Sequence, residues 1–157
     1  MFRRTADAIA MVVGAALALL LTVIVVAIFA QVFWRYVLNE PLVWPEEAAR
    51  YSFIWLSFLG LPLLLRHGEM IAVETVAAAL PERVRALLQG LAGLLAVPLL
   101  VILVWQGIRL MDVVSGQIAP ATGLPSSLLY LAAPVGALLS LFFLAERLIA
   151  GPPAPSA

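Results

Sequence analysis

The segment WPEEAARYSFIWLSFLGLPLLLRHGE, residues 44–69, decides the fold. Pro45 stands where a helix can begin, because its missing N–H is one that the first turn would leave unbonded anyway. Glu46 and Glu47 then fall at the positive end of the helix dipole, and Arg50 follows within salt-bridge reach of both. From Tyr51 to Leu65 no charge interrupts the run, and Arg66 closes it. Counted from Pro45, such a helix has about 21 residues and rises roughly 31 Å, the thickness of a bilayer's hydrocarbon core.

The rest of the chain is of the same kind. Its 157 residues are 64% hydrophobic and 11% charged, with a mean hydropathy of +1.11, whereas soluble domains carry about 25% charged residues. These values imply a polytopic membrane protein whose surroundings are the lipid bilayer. The nine basic residues, all arginine, balance nine acidic ones, so nothing points to nucleic acid as a partner. With no cysteine, disulfides, thiolate metal sites and thiol nucleophiles are excluded together. His67 is the single histidine, which excludes a two-histidine haem site. No cofactor or metal is expected.

Working outward, the pattern predicts an all-α integral membrane fold with four transmembrane helices. Arg3 and Arg4 precede an apolar run from Ala8 to Ala30, too long for a cleaved signal peptide, and this first span continues to about residue 36. Phe33, Trp34 and Tyr36 suit the membrane–water interface, with Arg35 among them. Asn39, Glu40 and Pro41 form a turn signal before the second span, residues 45–66, in which Pro62 removes the hydrogen bond to the Phe58 carbonyl. Residues 70–80 read as a short amphipathic helix lying on the membrane surface or against a partner, with Val73, Val76, Ala77 and Leu80 on one face. The third span, residues 83–110, contains Pro98. A polar connection from Asp112 to Ser127 leads to the fourth, residues 126–149, which contains Pro134 and pairs Gly136 with Ser140 as a helix-contact face. Residues 1–150 would form one four-helix domain, and the Pro-rich tail, 151–157, is expected to be disordered.

Arginine counts give the orientation. With the N-terminus inside, the inner segments hold Arg3, Arg4, Arg66, Arg83, Arg85 and Arg147, and the outer ones Arg35, Arg50 and Arg109. The excess predicts both termini in the cytoplasm.

No catalytic constellation stands out: there is no phosphate-binding glycine loop, nucleophile elbow or metal-spaced cluster. Glu46 and Glu47 point about 100° apart on a helix, so they do not face each other as an acid/base pair. Arg50 lies inside the helix, where an unpaired charge in lipid would cost at least about 2.5–3.5 kcal/mol, so it needs a carboxylate, a carbonyl or a partner subunit. Arg35 poses the same question, with Glu46 and Glu47 the nearest answers. His67 reads as a solvated turn residue, and Trp34, Trp44 and Trp55 as interfacial or packing residues. Four spans with few polar groups at mid-membrane, and no inverted repeat, describe an accessory subunit better than a complete transporter. A small integral-membrane enzyme using Glu46, Glu47 and His67 is the alternative from another class, and a self-associating structural protein is a third.

The succession Arg35-Tyr36, Trp44-Pro45-Glu46-Glu47-x-x-Arg50, Phe58-Leu59-Gly60 and Arg66-His67-Gly68-Glu69 resembles the small, DctQ-like membrane subunit of tripartite ATP-independent periplasmic (TRAP) transporters. Gly123-Leu124-Pro125 and Tyr130-Leu131-Ala132-Ala133-Pro134-Val135-Gly136 look like that family's last span. The chain departs from the common pattern at Met70 and Glu74. The resemblance implies a non-enzymatic scaffold subunit in a bacterial or archaeal inner membrane, paired with a large membrane subunit. That pair would take up an organic anion delivered by a periplasmic binding protein, driven by an ion gradient, sodium in particular. It also implies that Arg35, Trp44, Glu46, Glu47, Arg50 and Arg66 hold helices in register or meet the large subunit. The loop carrying Gln117, Thr122, Pro125 and Ser126 would be the binding protein's contact. The small subunit of a tricarboxylate-type tripartite transporter is a related alternative, against which the Trp-Pro-Glu-Glu run speaks.

Overall fold

The computed structural model describes residues 2–67 and 82–150. The expected amphipathic helix at residues 70–80 and the tail at 151–157 lie outside the described residues. Four helices carry the fold: α1 (Phe2–Phe33), α2 (Trp44–His67), α3 (Glu82–Val113) and α4 (Ser127–Ala150). Each contains a stretch long and apolar enough to cross a membrane.

Helix α1 begins well before the apolar run. It ends in a π-helical turn, Trp34–Leu38, stopped by Asn39 in the left-handed conformation at φ 56°. Asparagine tolerates that conformation better than most residues, which is why the chain can turn here without glycine. The whole segment from Arg3 to Leu38 has 36 residues, about 54 Å of helix against a core of about 30 Å, so it must tilt or project beyond the membrane.

The helices do not pack in chain order. α2 packs on α1 and on α4, and α3 packs on α4. In space the order is therefore α1, α2, α4, α3. The inward face of α1 is marked by small or β-branched residues at a seven-residue interval and its double, Ala6, Val13 and Ala27, all buried. A core of Leu65, Leu100 and Ala137 joins α2, α3 and α4, with Leu61, Leu103, Val104 and Leu141 around it.

All three helical prolines sit inside unbroken helices, and two of them mark close crossings. Pro62 has no N–H to give the Phe58 carbonyl, and Gly136 of α4 lies directly against that carbonyl, where a Cβ would clash. A Cβ at Gly107 of α3 would come within 2.6 Å of the Pro134 ring of α4. Glycine at these two points lets backbones approach as they do in tightly packed membrane helices. Ser140 is fully buried and its hydroxyl donates to the Gly136 carbonyl at 2.7 Å. Pro98, by contrast, is exposed.

Candidate functional site

Two polar clusters tie the helices together, one at each end of the bundle. At the end that holds both the start of α1 and the finish of α4, Arg66 is buried with Glu146. Its Nε donates to one Glu146 oxygen at 3.0 Å and its Nη2 to the other at 3.2 Å, the two-pronged geometry that suits a guanidinium to a carboxylate. Nη2 also donates to Asp7 Oδ1, which brings in α1. The guanidinium lies 5.3 Å from the centre of the buried Phe143 ring, a cation–π contact that gives a desolvated cation another stabilising neighbour. Arg147 donates to the Leu65 carbonyl near the C-terminus of α2, where a cation meets the negative end of the dipole. Three helices thus converge on one arginine.

At the other end, Glu47 performs the equivalent task. Its carboxylate accepts from the Ala121 N–H at 3.1 Å, the Thr122 N–H at 2.9 Å and the Thr122 hydroxyl at 2.9 Å. These bonds clamp the α3–α4 connection onto the first turn of α2. The connection is a small hairpin. Ala119 N–H donates to Leu124, Ser126 N–H to Gln117, and Gly123 N–H to Ala119, while Gly123 at φ 69° takes the left-handed position of the turn. Nearby, Trp55 Nε1 donates to the Leu128 carbonyl at 3.1 Å, so α2 also holds the start of α4.

The neighbouring carboxylate behaves differently. Glu46 accepts from Arg50 at 2.8 Å, one helical turn away, and both side chains are more than half exposed. Arg50 is therefore paired within the chain and, among the described residues, only to Glu46, although both carboxylates are within reach by spacing. Neither of them answers Arg35, which has no ion-pair partner among the described residues. Arg35 and Trp44 are both exposed.

Of the loop residues, Gln117 and Pro125 are exposed and Ser126 is half-buried. Thr122 is spent on Glu47. Between the loop and α2 lies an open cleft of about 430 Å³, lined by Glu47, Arg50, Tyr51, Gln117, Pro120 and Ser126 among others. No group of three or more metal-ligating side chains occurs among the described residues, and the side chain of His67 lies outside them.

Sequence reasoning missed Asp7 and Glu146 as partners of Arg66. The signal was present: with the N-terminus and the end of α4 on the same side as Arg66, these two carboxylates are the ones its membrane face supplies from spans 1 and 4. The Trp55–Leu128 bond and the commitment of Glu47 to the loop had no such signal.

Comparison with known proteins gives a consistent family. Residues 24–151, more than half of the chain, match the model of "Tripartite ATP-independent periplasmic transporters, DctQ component". A TRAP transporter small permease protein of Haemophilus influenzae is 29% identical over 126 residues, covering 80% of this chain and 76% of the relative. The sialic acid TRAP transporter permease protein SiaT of the same species is 28% identical over 73% of this chain, but that match spans 19% of SiaT. The isethionate TRAP transporter permease protein DctMQ of Oleidesulfovibrio alaskensis is 32% identical over 71% of this chain and again 19% of its own length. In the last two the matched region is part of a much longer permease polypeptide. These relatives are transporter permeases and not enzymes, which removes the reading of Glu46, Glu47 and His67 as an enzyme's groups.

Proposed function

The chain belongs to the DctQ family of tripartite ATP-independent periplasmic transporters and is a multi-pass membrane protein, and from that premise we propose that it is the fixed scaffold on which a large membrane subunit moves its substrate. The observation that carries this reading is how the buried charges are used. Arg66 and Glu146 at one end, and Glu47 at the other, are spent on holding helices to each other. Among the described residues no buried side-chain nitrogen or oxygen lacks a partner. A bundle built this way is rigid, and among the described residues it leaves no buried side-chain polar group free to follow a solute or an ion.

The transported solute is an organic anion, taken up against its gradient with sodium as the coupling ion. The sialic acid and isethionate named for two relatives, both acid anions, support that class. The protein lies in the inner membrane of a bacterium or archaeon with both termini in the cytoplasm, as the arginine excess on that side favours. On this orientation the Arg66 cluster faces the cytoplasm and the Glu47-clamped hairpin the periplasm. Glu47 and Arg66 then keep the helices in register. Arg35, Trp44 and the exposed Glu46–Arg50 pair meet the large subunit. Gln117, Pro125 and Ser126, beside the cleft, receive the periplasmic binding protein, with Thr122 holding the hairpin in place beneath them.

The test is purification of the tagged chain from its native membrane in mild detergent, followed by reconstitution. A large polytopic subunit should co-purify in stoichiometric amount. In vesicles loaded with a sodium gradient and supplied with the binding protein, uptake should require both membrane subunits. Recovery of the folded chain alone, or full uptake by the large subunit without it, would overturn the scaffold role.

A further inference from the structure

The three prolines inside the helices present one problem, and two of them lie at close crossings within this chain. Each removes a hydrogen-bond donor from the carbonyl four residues earlier, and in hydrocarbon a carbonyl without a donor costs free energy that lipid cannot recover. The Phe58 carbonyl opposite Pro62 is covered by the close approach of Gly136, and the Pro134 ring is seated against Gly107. Both crossings are internal. Pro98 is the exception, because it is exposed and lies within the apolar part of α3, leaving the Leu94 carbonyl without its helical donor on a face that no other helix covers among the described residues.

That face has further features that lipid does not satisfy. Leu95, Pro98, Ile102, Trp105 and Arg109 recur at three- and four-residue intervals along α3, opposite the buried Leu100 and Gly107, and all are exposed. Gln106 is exposed beside them, seven residues inside the helix end at Val113, and its amide has no hydrogen-bond partner among the described residues. Arg109 stacks on Trp105 at 4.4 Å instead of meeting a carboxylate. The outer face of α1 provides the contrast. Met11, Val12, Leu19, Val26 and Phe29 are exposed there, and the one polar residue among them, Thr22, returns its hydroxyl to the Ala18 carbonyl. One edge of the bundle suits lipid, and the other does not.

We propose that the Leu95–Pro98–Ile102–Gln106–Arg109 face of α3 is the seat of a transmembrane helix of the large permease subunit, which supplies donors to the Gln106 side chain and covers the Leu94 carbonyl. The inference rests on the scaffold reading above and adds, to the contact proposed at Arg35, Trp44 and the Glu46–Arg50 pair, a second one along α3. The occupant is a large-subunit helix because relatives carry the matched region as 19% of one long permease chain, a connection that keeps the bundle beside such helices. A small residue on that helix opposite Pro98 would repeat the proline–glycine crossings already used twice inside this chain.

The experiment is site-specific photo-crosslinking in native membranes with both subunits present. Benzoylphenylalanine is placed at Leu95 or Ile102 on α3, and at Val12 or Leu19 on α1. The expected result is an adduct with the mass of both subunits from the α3 positions and none from the α1 positions. Gln106→Leu should lower the co-purified large subunit roughly threefold, the scale of one interhelical hydrogen bond in a membrane, with the melting temperature of the isolated chain unchanged. If the large subunit co-purifies but crosslinks only to α1, or if the α3 positions give a homodimer or lipid adducts only, this assignment of the face is wrong and the scaffold reading survives. If no large subunit co-purifies with the wild-type chain, both fall.

Discussion

Arg66 and Glu146 lie eighty residues apart in sequence and meet as a buried two-pronged ion pair that joins the end of α2 to the end of α4. Removing one partner of such a pair leaves the other charged and desolvated. Glu146→Ala or Arg66→Ala should therefore cost about 3–5 kcal/mol, whereas replacing both by apolar residues of similar size, Arg66→Met with Glu146→Leu, should recover most of that loss. Chemical denaturation of the detergent-solubilised chain, analysed as a double-mutant cycle, measures the coupling. A pair of single variants no less stable than the wild type would remove the cluster from the list of stabilising features.

Asp7 contacts the same guanidinium from a different environment. Its side chain is 65% exposed, against 6% for Arg66, so this carboxylate is far less desolvated by the bundle than Glu146 is. Asp7→Asn should cost no more than about 1 kcal/mol in the same assay. A loss matching that of Glu146→Ala would mean that α1 closes over this carboxylate in the membrane.

Glu46 and Glu47 should respond unequally to the same change. Glu47→Ala strips the Ala121 and Thr122 donors of their shared acceptor and should destabilise by about 1–3 kcal/mol. Hydrogen exchange at those two amides should accelerate with it. Glu46→Ala removes an exposed pair to Arg50 that contributes about 0.3–0.5 kcal/mol and should leave the hairpin amides protected. Equal exchange in the two variants would separate the hairpin's order from Glu47.

Glycines divide in the same way. A Cβ at Gly136 meets the Phe58 backbone, while at Gly14 and Gly93 it meets open space. Gly136→Ala should cost about 1–3 kcal/mol by forcing α2 and α4 apart. Gly93→Ala should be neutral or raise stability by up to about 1 kcal/mol, because it lowers the entropy of the unfolded helix. Thermal melts of the two alanine variants test the contrast, and a stable Gly136→Ala protein would mean that the crossing can loosen without loss.

Trp55 provides a local probe of the α2–α4 contact. Trp55→Phe keeps an aromatic ring and loses the bond to the Leu128 carbonyl, for an expected cost of about 0.5–1.5 kcal/mol from that bond. Unchanged stability would indicate that water or the headgroup region replaces the indole donor.

The four spans were legible because a membrane imposes a length and a composition that few other structures need. The expected second span, residues 45–66, and the observed Trp44–His67 helix differ by one residue at each end. The polar clusters were harder to read. Glu46 and Glu47 are adjacent and identical in type, and only a rotation of about 100° along the helix separates a solvent-facing carboxylate from one aimed at a loop 74 residues away. The Asp112 to Ser127 connection has the turn residues of an irregular loop, and its hairpin depends on a long-range acceptor that local sequence does not encode. Arg50 shows the reverse case. Its depth in the helix called for a partner, and Glu46, one turn away, supplies the carboxylate.

The spatial order α1, α2, α4, α3 also bears on how the protein is made. A chain delivered to the bilayer from its N-terminus presents α1 and α2 as a pair that can associate at once. Helix α3 arrives next and finds its main neighbour not yet synthesised, with the Gly107 notch still empty. Only when α4 inserts between α2 and α3 do the Arg66 pair and the Pro134 crossing close. Helix α4, the last of the four to be synthesised, is the keystone of the bundle, and a product that stops before Ser127 leaves α3 unseated in lipid, a state that membrane quality control can distinguish from the finished bundle.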